Sequence, residues 1–300
     1  MRWRVVLPTV FADAQGRAVR LARRTSLGVG GRPRWLFEPE DQAACVEVVR
    51  LCRAHGVPIL VLGGGCNLLV KDGVIDAAVV ATKRMRGFVE HPDRVVVGAG
   101  QGFPDLVRRS IQLGIPGLPG CPGIPGSVGG VVFMNAGGRF GSVADALIEV
   151  EGVDADGEPF TRSVEPGDLG YRSSPFGGTI VTGATFRRDP AWTAERGAAL
   201  FRKAMEWKRE TQPLSARSAG CMFKNPGEGI SAGRLIDEAG LGGLRVGGAM
   251  VSTQHANFIV NVGDATAADV HALAAQVRER VREVHDVDLE LEVRVWGEDA

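Results

Sequence analysis

Residues 114–130, GIPGLPGCPGIPGSVGG, are nearly all glycine, proline and small apolar side chains. Such a run is accommodated as turns and close backbone approaches, because glycine reaches conformations that a Cβ forbids and proline fixes φ. Two readings fit it. It walls a site for a flat aromatic ligand, with glycine allowing the approach and proline the rigidity, or it is a surface linker. Its apolar residues weigh towards the first. Glycine is abundant throughout, 42 of 300 residues, with no collagen period.

Around this run the pattern alternates irregularly between helix and strand. Residues 41–55 read as a helix with Ala44, Val48 and Leu51 on one face and Gly56 as its stop. Strands are expected at 59–62, 74–81 and 94–99, and a helix at 104–113 opened by Pro104 and Asp105. Segments 147–153, 158–164 and 179–186 suit an antiparallel or mixed sheet, and 195–210 a helix. A composition shift at 200–215 marks a candidate boundary. Beyond it come a helix near 231–239, a strand at 256–262 and a long helix at 266–285. Thr266 and Asp269 give that helix a capping-box start, and Val270, Leu273, Val277, Val281 and Val284 its apolar stripe. A closing strand is expected over 289–296. Leu289, Leu291, Val293 and Val295 face one way; Glu290, Glu292 and Arg294 face the other. Without steady β-α-β alternation the fold class is α+β.

Composition narrows the function classes. Thirty-five Lys and Arg balance 35 Asp and Glu, which argues against a nucleic-acid-coating protein but leaves room for a local anion site. Five cysteines without a Cys-x-x-Cys pair suit a reducing cytosol, and the scattered histidines suggest no metal site. No apolar run approaches the roughly 20 residues of a membrane helix, and residues 1–10 read as a strand or loop instead of a signal peptide.

Several segments have the residues for chemistry. Gly63-Gly64-Gly65-Cys66-Asn67-Leu68-Leu69 follows a strand. Three glycines let successive N–H groups face one anion, and a plain tight turn explains them equally well. Tyr171-Arg172 offers a bidentate clamp for a carboxylate, or an ordinary surface arginine. SAGCMFKNP places the Cys221 thiol beside Lys224 and Asn225; a buried inert cysteine is the commoner case. Glu292 reads as a solvated strand residue unless something recruits it. His255 and Asn257 in HANFIVN are weaker polar candidates.

The order of these segments is more specific than any one of them. TSLGVGG, LGGGCNLLV, VGAG, GIPGSVGG, NAGG, YRSSPF, SAGCMFKNP, AGRLIDEAGLGG, HANFIVN and LELEVR succeed one another over about residues 22–295. This succession resembles the UDP-N-acetylenolpyruvoylglucosamine reductase family. The resemblance implies a two-lobed FAD-binding domain of the vanillyl-alcohol-oxidase-like (PCMH) type, residues 1–86 and 87–203, and a C-terminal α/β substrate domain, residues 204–300. It implies that NADPH reduces FAD and that flavin N5 then passes hydride to the methylene carbon of UDP-GlcNAc-enolpyruvate, in the cytoplasm, for peptidoglycan synthesis.

Site residues follow from the same blocks. Leu62, Gly63, Gly64, Gly65, Cys66, Asn67 and Leu68 match the loop on the FAD pyrophosphate. Ala99 and Gly100, then Gly123, Ile124, Pro125, Gly126, Ser127, Gly129 and Gly130, line the flavin, with Asn135 in the next block. Arg172 and Glu292 match the groups that stabilise the enolate. Cys221 matches the proton donor, serine in many relatives. Tyr171, Lys224, Asn225, His255 and Asn257 are expected near the substrate. The longer family form closes with a tyrosine from an inserted loop. Here the single tyrosine is Tyr171, so the chain resembles the shorter subclass. With no histidine or second cysteine in the loop of Cys66, FAD is expected to bind without a covalent link. The alternatives are a sugar or alcohol oxidase on the same FAD platform and a non-catalytic flavin or UDP-sugar binder.

Overall fold

The structure, a computed structural model, describes residues 3–6 and 19–297. Of the N-terminal reading, only the strand Trp3–Val6 lies within the described residues. Main-chain contacts divide the chain into two compact units. The first holds that strand, Trp35–Gly64 and Ala77–Lys208; the second holds the segment ending at Arg34, Gly65–Asp76 and the chain from Arg209 onward. This division differs from the expected boundaries after 86 and 203. Leu68–Val70 pairs in parallel with Arg294–Trp296. Gly31 donates to the Lys71 carbonyl oxygen at 2.9 Å and Arg32 to that of Gly73 at 2.7 Å. Those bonds group two early segments with the C-terminal residues.

In the first unit the helix Gln42–Ala54 starts at Asp41, whose carboxylate accepts the Ala44 N–H at 2.8 Å. Its buried face is Ala44, Cys45, Val48, Val49 and Cys52. Leu51, expected on that stripe, is 44% exposed. The 45–48–49–52 spacing shifts the apolar face towards Cys45 and Cys52 and leaves Leu51 at its edge. A four-stranded sheet runs in the order Trp3–Val6, Arg32–Pro39, Val74–Ala81, Ile59–Leu62. A second, antiparallel sheet runs Pro159–Ser163, Leu147–Val153, Ile180–Arg187, Arg94–Gly98, Phe88–Glu90. The helix Phe103–Leu113 covers it, burying Phe103, Leu106 and Val107.

The glycine–proline run belongs to this core. Ile115, Leu118, Cys121 and Val128 are buried with Val150 and Phe186, which removes the linker reading. Its last residues enter a short helix, Val128–Phe133, that no periodicity announced.

The second unit is built on an antiparallel sheet ordered Arg217–Cys221, Phe258–Asn261, Ala249–Val251, Arg245–Val246. The helix Ala267–His285 packs Val270, Leu273, Ala274, Val277 and Val281 into the core, and Thr266 and Asp269 form the capping box. Val284, in its last turn, is exposed instead of buried. Each valine or leucine so buried contributes about 1.5–3 kcal/mol.

The closing segment differs from the expected strand 289–296. Only Arg294–Trp296 is regular strand, and Leu291 makes an isolated antiparallel bridge to Phe223. The chain changes partner between these points, from 222–224 to Leu68–Val70, and a ladder cannot continue through such a change. The alternation itself persists: Leu289 and Val293 are buried while Glu290 and Arg294 are exposed. Among the described residues no helix is long and apolar enough to cross a membrane.

Candidate functional site

The expected site residues fall into two groups, one in each unit. In the first, the strand Ile59–Leu62 lies parallel to Val74–Ala81 and ends with buried Leu62. Gly63 and Gly64 then pack on the 126–130 segment. A Cβ on Gly64 would lie 2.5 Å from the Gly126 Cα, so the two backbones meet only because position 64 has no side chain.

Residues 99–102 and 126–129 are bonded along their length. The Phe103 N–H donates to the Gly126 carbonyl oxygen, Val128 to Gln101 and Gly129 to Ala99, each at 2.9 Å. Ile124 is half-buried and Pro125 exposed beside them. Around this junction three hydroxyls, of Thr82, Ser127 and Thr182, are buried without a hydrogen-bond partner. Buried hydroxyls are normally paired. The side-chain-free backbone at Gly63, Gly64, Gly126, Gly129 and Gly130 fits FAD, whose diphosphate and ring call for close main-chain approach. Ser127 was among the expected residues; Thr82 and Thr182 were not. A buried threonine in or beside a strand looks in sequence like any β-former.

Arg172 and Asn135 form the next cluster, and both have left-handed backbone, with φ of 51° and 40°. Asn135 Nδ2 donates to the Gly170 carbonyl oxygen at 2.9 Å, and its Oδ1 accepts the Ala144 N–H at 3.2 Å. Arg172 Nη1 donates to the Gly137 carbonyl oxygen at 3.2 Å. The guanidinium stands 5.1 Å from the ring centre of exposed Tyr171. An arginine at such a φ costs about 1–3 kcal/mol, and strain of this kind gathers at functional sites. The charge of Arg172 also reaches Cys121, whose thiol burial pushes up to about 12; Lys208 and Arg172 pull the other way.

The second unit holds the remaining residues. Gly65 has φ 67°, and a Cβ there would overlap the Arg24 carbonyl oxygen. Burial raises the Cys66 thiol pKa, with the Ser26 hydrogen bond lowering it. A neutral thiol is a poor nucleophile, which suits non-covalent FAD. Leu68, buried, pairs with Arg294. Asn67 serves the closing segment: its Nδ2 donates to the Glu292 carbonyl oxygen at 3.1 Å, and its own carbonyl accepts the Arg294 N–H at 3.1 Å.

Cys221 ends the strand Arg217–Cys221 opposite Phe258 and is partly buried. The next residues bind the closing segment. The Glu292 N–H donates to the Met222 carbonyl oxygen at 2.8 Å, and the Lys224 N–H donates to Glu290 at 2.9 Å. Glu292 is half-buried there, unlike a freely solvated strand residue. Lys224 Nζ pairs with Glu290 Oε2 at 3.0 Å, and Asn225 Oδ1 accepts the Ala232 N–H at 3.1 Å. Asn257 is buried and bonds Phe223 with both ends of its amide. His255 Nδ1 accepts the Asn257 N–H at 3.3 Å, and burial lowers its pKa below 6.5. The structure thus brings Asn67, Cys221, Lys224, Asn225, His255, Asn257 and Glu292 around one backbone junction.

Known proteins resemble this arrangement along nearly its whole length. A family model described as an FAD binding domain matches residues 33–162, and one described as the UDP-N-acetylenolpyruvoylglucosamine reductase C-terminal domain matches 212–296. A UDP-N-acetylenolpyruvoylglucosamine reductase of Geobacter metallireducens is 42% identical over 293 residues, 96% of this chain and 97% of the relative. One of Deinococcus radiodurans is 44% identical over 305 residues, 96% of this chain and 98% of the relative. The crystal structure of the Thermus caldophilus enzyme superposes with a TM-score of 0.78 at 40% identity, covering 99% of this chain and all of that one.

Proposed function

The chain belongs to the UDP-N-acetylenolpyruvoylglucosamine reductase family, and on that footing we propose how its own side chains divide the reaction. It is an FAD-dependent oxidoreductase of α+β fold that reduces UDP-GlcNAc-enolpyruvate to UDP-N-acetylmuramate for peptidoglycan synthesis, with NADPH as hydride donor. What FAD supplies when bound is two-electron storage between oxidation of NADPH and reduction of the enolpyruvyl group.

Leu62–Leu68, Ala99, Gly100, Gly123–Ser127, Gly129, Gly130 and Asn135 would hold FAD. Hydride arriving at the methylene carbon leaves negative charge on the neighbouring carbon and its carboxylate. Arg172 counters that charge; its strained backbone, at φ 51°, supports the assignment. Glu292 is assigned as a further polar contact of the enolpyruvyl group. Cys221 gives its Sγ proton to the carbon, and the thiolate left behind regains one from water. A thiol is a stronger acid than an alcohol and can serve as general acid to the developing carbanion. Lys224, Asn225, Tyr171 and His255 contact the substrate, while Asn257 positions the Cys221 loop. Five free cysteines support a reducing, cytoplasmic location.

The observation that carries this division is the 2.8 Å bond from the Glu292 N–H to Met222, which ties the proposed donor loop to the proposed carboxyl group. The match of 212–296 to the reductase C-terminal domain weighs against an oxidase built on the same FAD platform. The visible spectrum tests the assignment. NADPH bleaches the yellow protein and UDP-GlcNAc-enolpyruvate restores the colour. Protein that stays bleached on adding that substrate, yet is reoxidised by oxygen, contradicts it.

A further inference from the structure

The segment 25–28 is a turn closed by the bond from the Gly28 N–H to the Thr25 carbonyl oxygen at 3.2 Å. It lies between two parts of the candidate site, all within the second unit. On one side the Ser26 N–H donates to the Gly65 carbonyl oxygen at 3.0 Å. On the other, Asn261 Nδ2 donates to the Leu27 carbonyl oxygen at 3.0 Å, and the Ser26 hydroxyl donates to the Ser218 carbonyl oxygen at 2.6 Å. The same hydroxyl hydrogen-bonds the Cys66 thiol. Ser218 is where the strand carrying Cys221 leaves its regular ladder: it pairs with Val260, whereas Cys221 pairs with Phe258. One residue is extra between them, and Gly220 within that stretch has a left-handed φ of 82°. A bulge of this kind re-aims the side chain beside it and leaves its own residue out of the ladder. The aim of Cys221 is then fixed from outside the strand pair. Beyond Cys221, Asn257 does this through Met222 and Phe223. Before it, the group in place is the Ser26 hydroxyl.

We propose that Ser26 is a positioning residue of the reaction: its hydroxyl ties the Gly65-Cys66 turn to the start of the bulge that aims Cys221. The proposal rests on the readings that the 62–68 loop holds FAD and that Cys221 gives the proton, and it adds a residue outside both segments. The main-chain bond from Ser26 to Gly65 needs no side chain, so removing the hydroxyl cuts only its bonds to Ser218 and Cys66. Cys221 then loses a constraint that matters when its proton moves to the substrate, and not when NADPH reduces FAD. Cys66 loses the bond that lowers its pKa, while burial, which raises it, remains. A hydroxyl that merely held the fold together would have the opposite effect at Cys66. Loosening lets water in, and a wetter thiol ionises more readily.

The test compares wild type, Ser26→Ala and Ser26→Thr, which keeps the hydroxyl. In the FAD-loaded protein the two half-reactions are followed by stopped-flow absorbance. In the full chain freed of FAD, alkylation of Cys66 by iodoacetamide is followed from about pH 7 to 10 by peptide mass spectrometry. Ser26→Ala is expected to be bleached by NADPH at the wild-type rate and to recover colour with UDP-GlcNAc-enolpyruvate about 3- to 10-fold more slowly. Its Cys66 alkylation profile moves to higher pH. Ser26→Thr keeps wild-type behaviour in all three. Wild-type recovery and profile in Ser26→Ala, or equal slowing of both half-reactions, overturns the proposal. So does a Cys66 profile moved to lower pH, or a threonine variant as impaired as the alanine one. Wild-type protein that UDP-GlcNAc-enolpyruvate leaves bleached overturns the reductase reading instead, and the Cys66 profile still decides whether the hydroxyl makes its link.

Discussion

Asn257 holds Phe223 by both ends of its amide: Oδ1 accepts the Phe223 N–H at 2.9 Å, and Nδ2 donates to the Phe223 carbonyl oxygen at 2.8 Å. The Asn257 carbonyl also accepts the Met222 N–H at 2.7 Å. The backbone just beyond Cys221 is thus fixed by one buried residue, and the bridge to Leu291 continues from it. Asn257→Ala leaves a buried N–H and a buried C=O unpaired, at about 1–3 kcal/mol each. Thermal melts should show a clear loss of stability. In the protein that remains folded, reoxidation by the enolpyruvyl substrate should slow while bleaching by NADPH keeps its rate.

Gly65 and Gly56 share a left-handed backbone, φ 67° and 63°, but not an environment. A Cβ on Gly56 meets nothing within 4 Å, whereas one on Gly65 overlaps the Arg24 carbonyl. Gly56→Ala should therefore cost only the conformational strain, about 1–2 kcal/mol, and purify yellow. Gly65→Ala should be far less stable and lose FAD. Flavin content per chain and a melting curve on both variants check the contrast.

Arg172 pays conformational energy for its position, so Arg172→Gly should raise the melting temperature while slowing the substrate half-reaction about 10²- to 10³-fold. Lower stability in this variant would show that the arginine is held for the fold instead of for the charge.

His255 provides the pH-dependent case. Its Nδ1 accepts the Asn257 N–H, which requires the neutral ring, and burial lowers its pKa from 6.5. The unfolded chain then binds the proton more readily than the folded one, so the neutral ring contributes stability above pH 6.5 that is lost as pH falls below it. Denaturant melts from pH 7.5 to 5 should show wild-type stability declining on the acid side, and His255→Gln should flatten that part of the profile.

Much of this architecture was legible because local chemistry and tertiary context agree. The capping box at Thr266 and Asp269 and the strands at 59–62 and 74–81 follow from short-range pattern, whereas the Asp41 cap and the parallel pairing of those strands appear only in the fold. Leu51 and Val284 were misplaced because a helix face is decided by the neighbours that cover it, and each sits at the margin of its stripe. The closing strand was read too long because alternation persists where the chain exchanges one partner for another. At the candidate site, glycine and cysteine blocks pointed to the segments. Asn257 stands out in sequence as a polar candidate, while its burial and its two bonds to Phe223 appear only in the fold.

Cys221 as the proton donor is the claim that the chemistry depends on, and stopped-flow absorbance on the two half-reactions tests it. For Cys221→Ala the account predicts unchanged bleaching by NADPH and a recovery of colour with UDP-GlcNAc-enolpyruvate slowed about 10²- to 10⁴-fold, with Cys221→Ser retaining much of that rate. Equal slowing of both phases, or an alanine variant that recovers its colour as fast as the wild type, would contradict it.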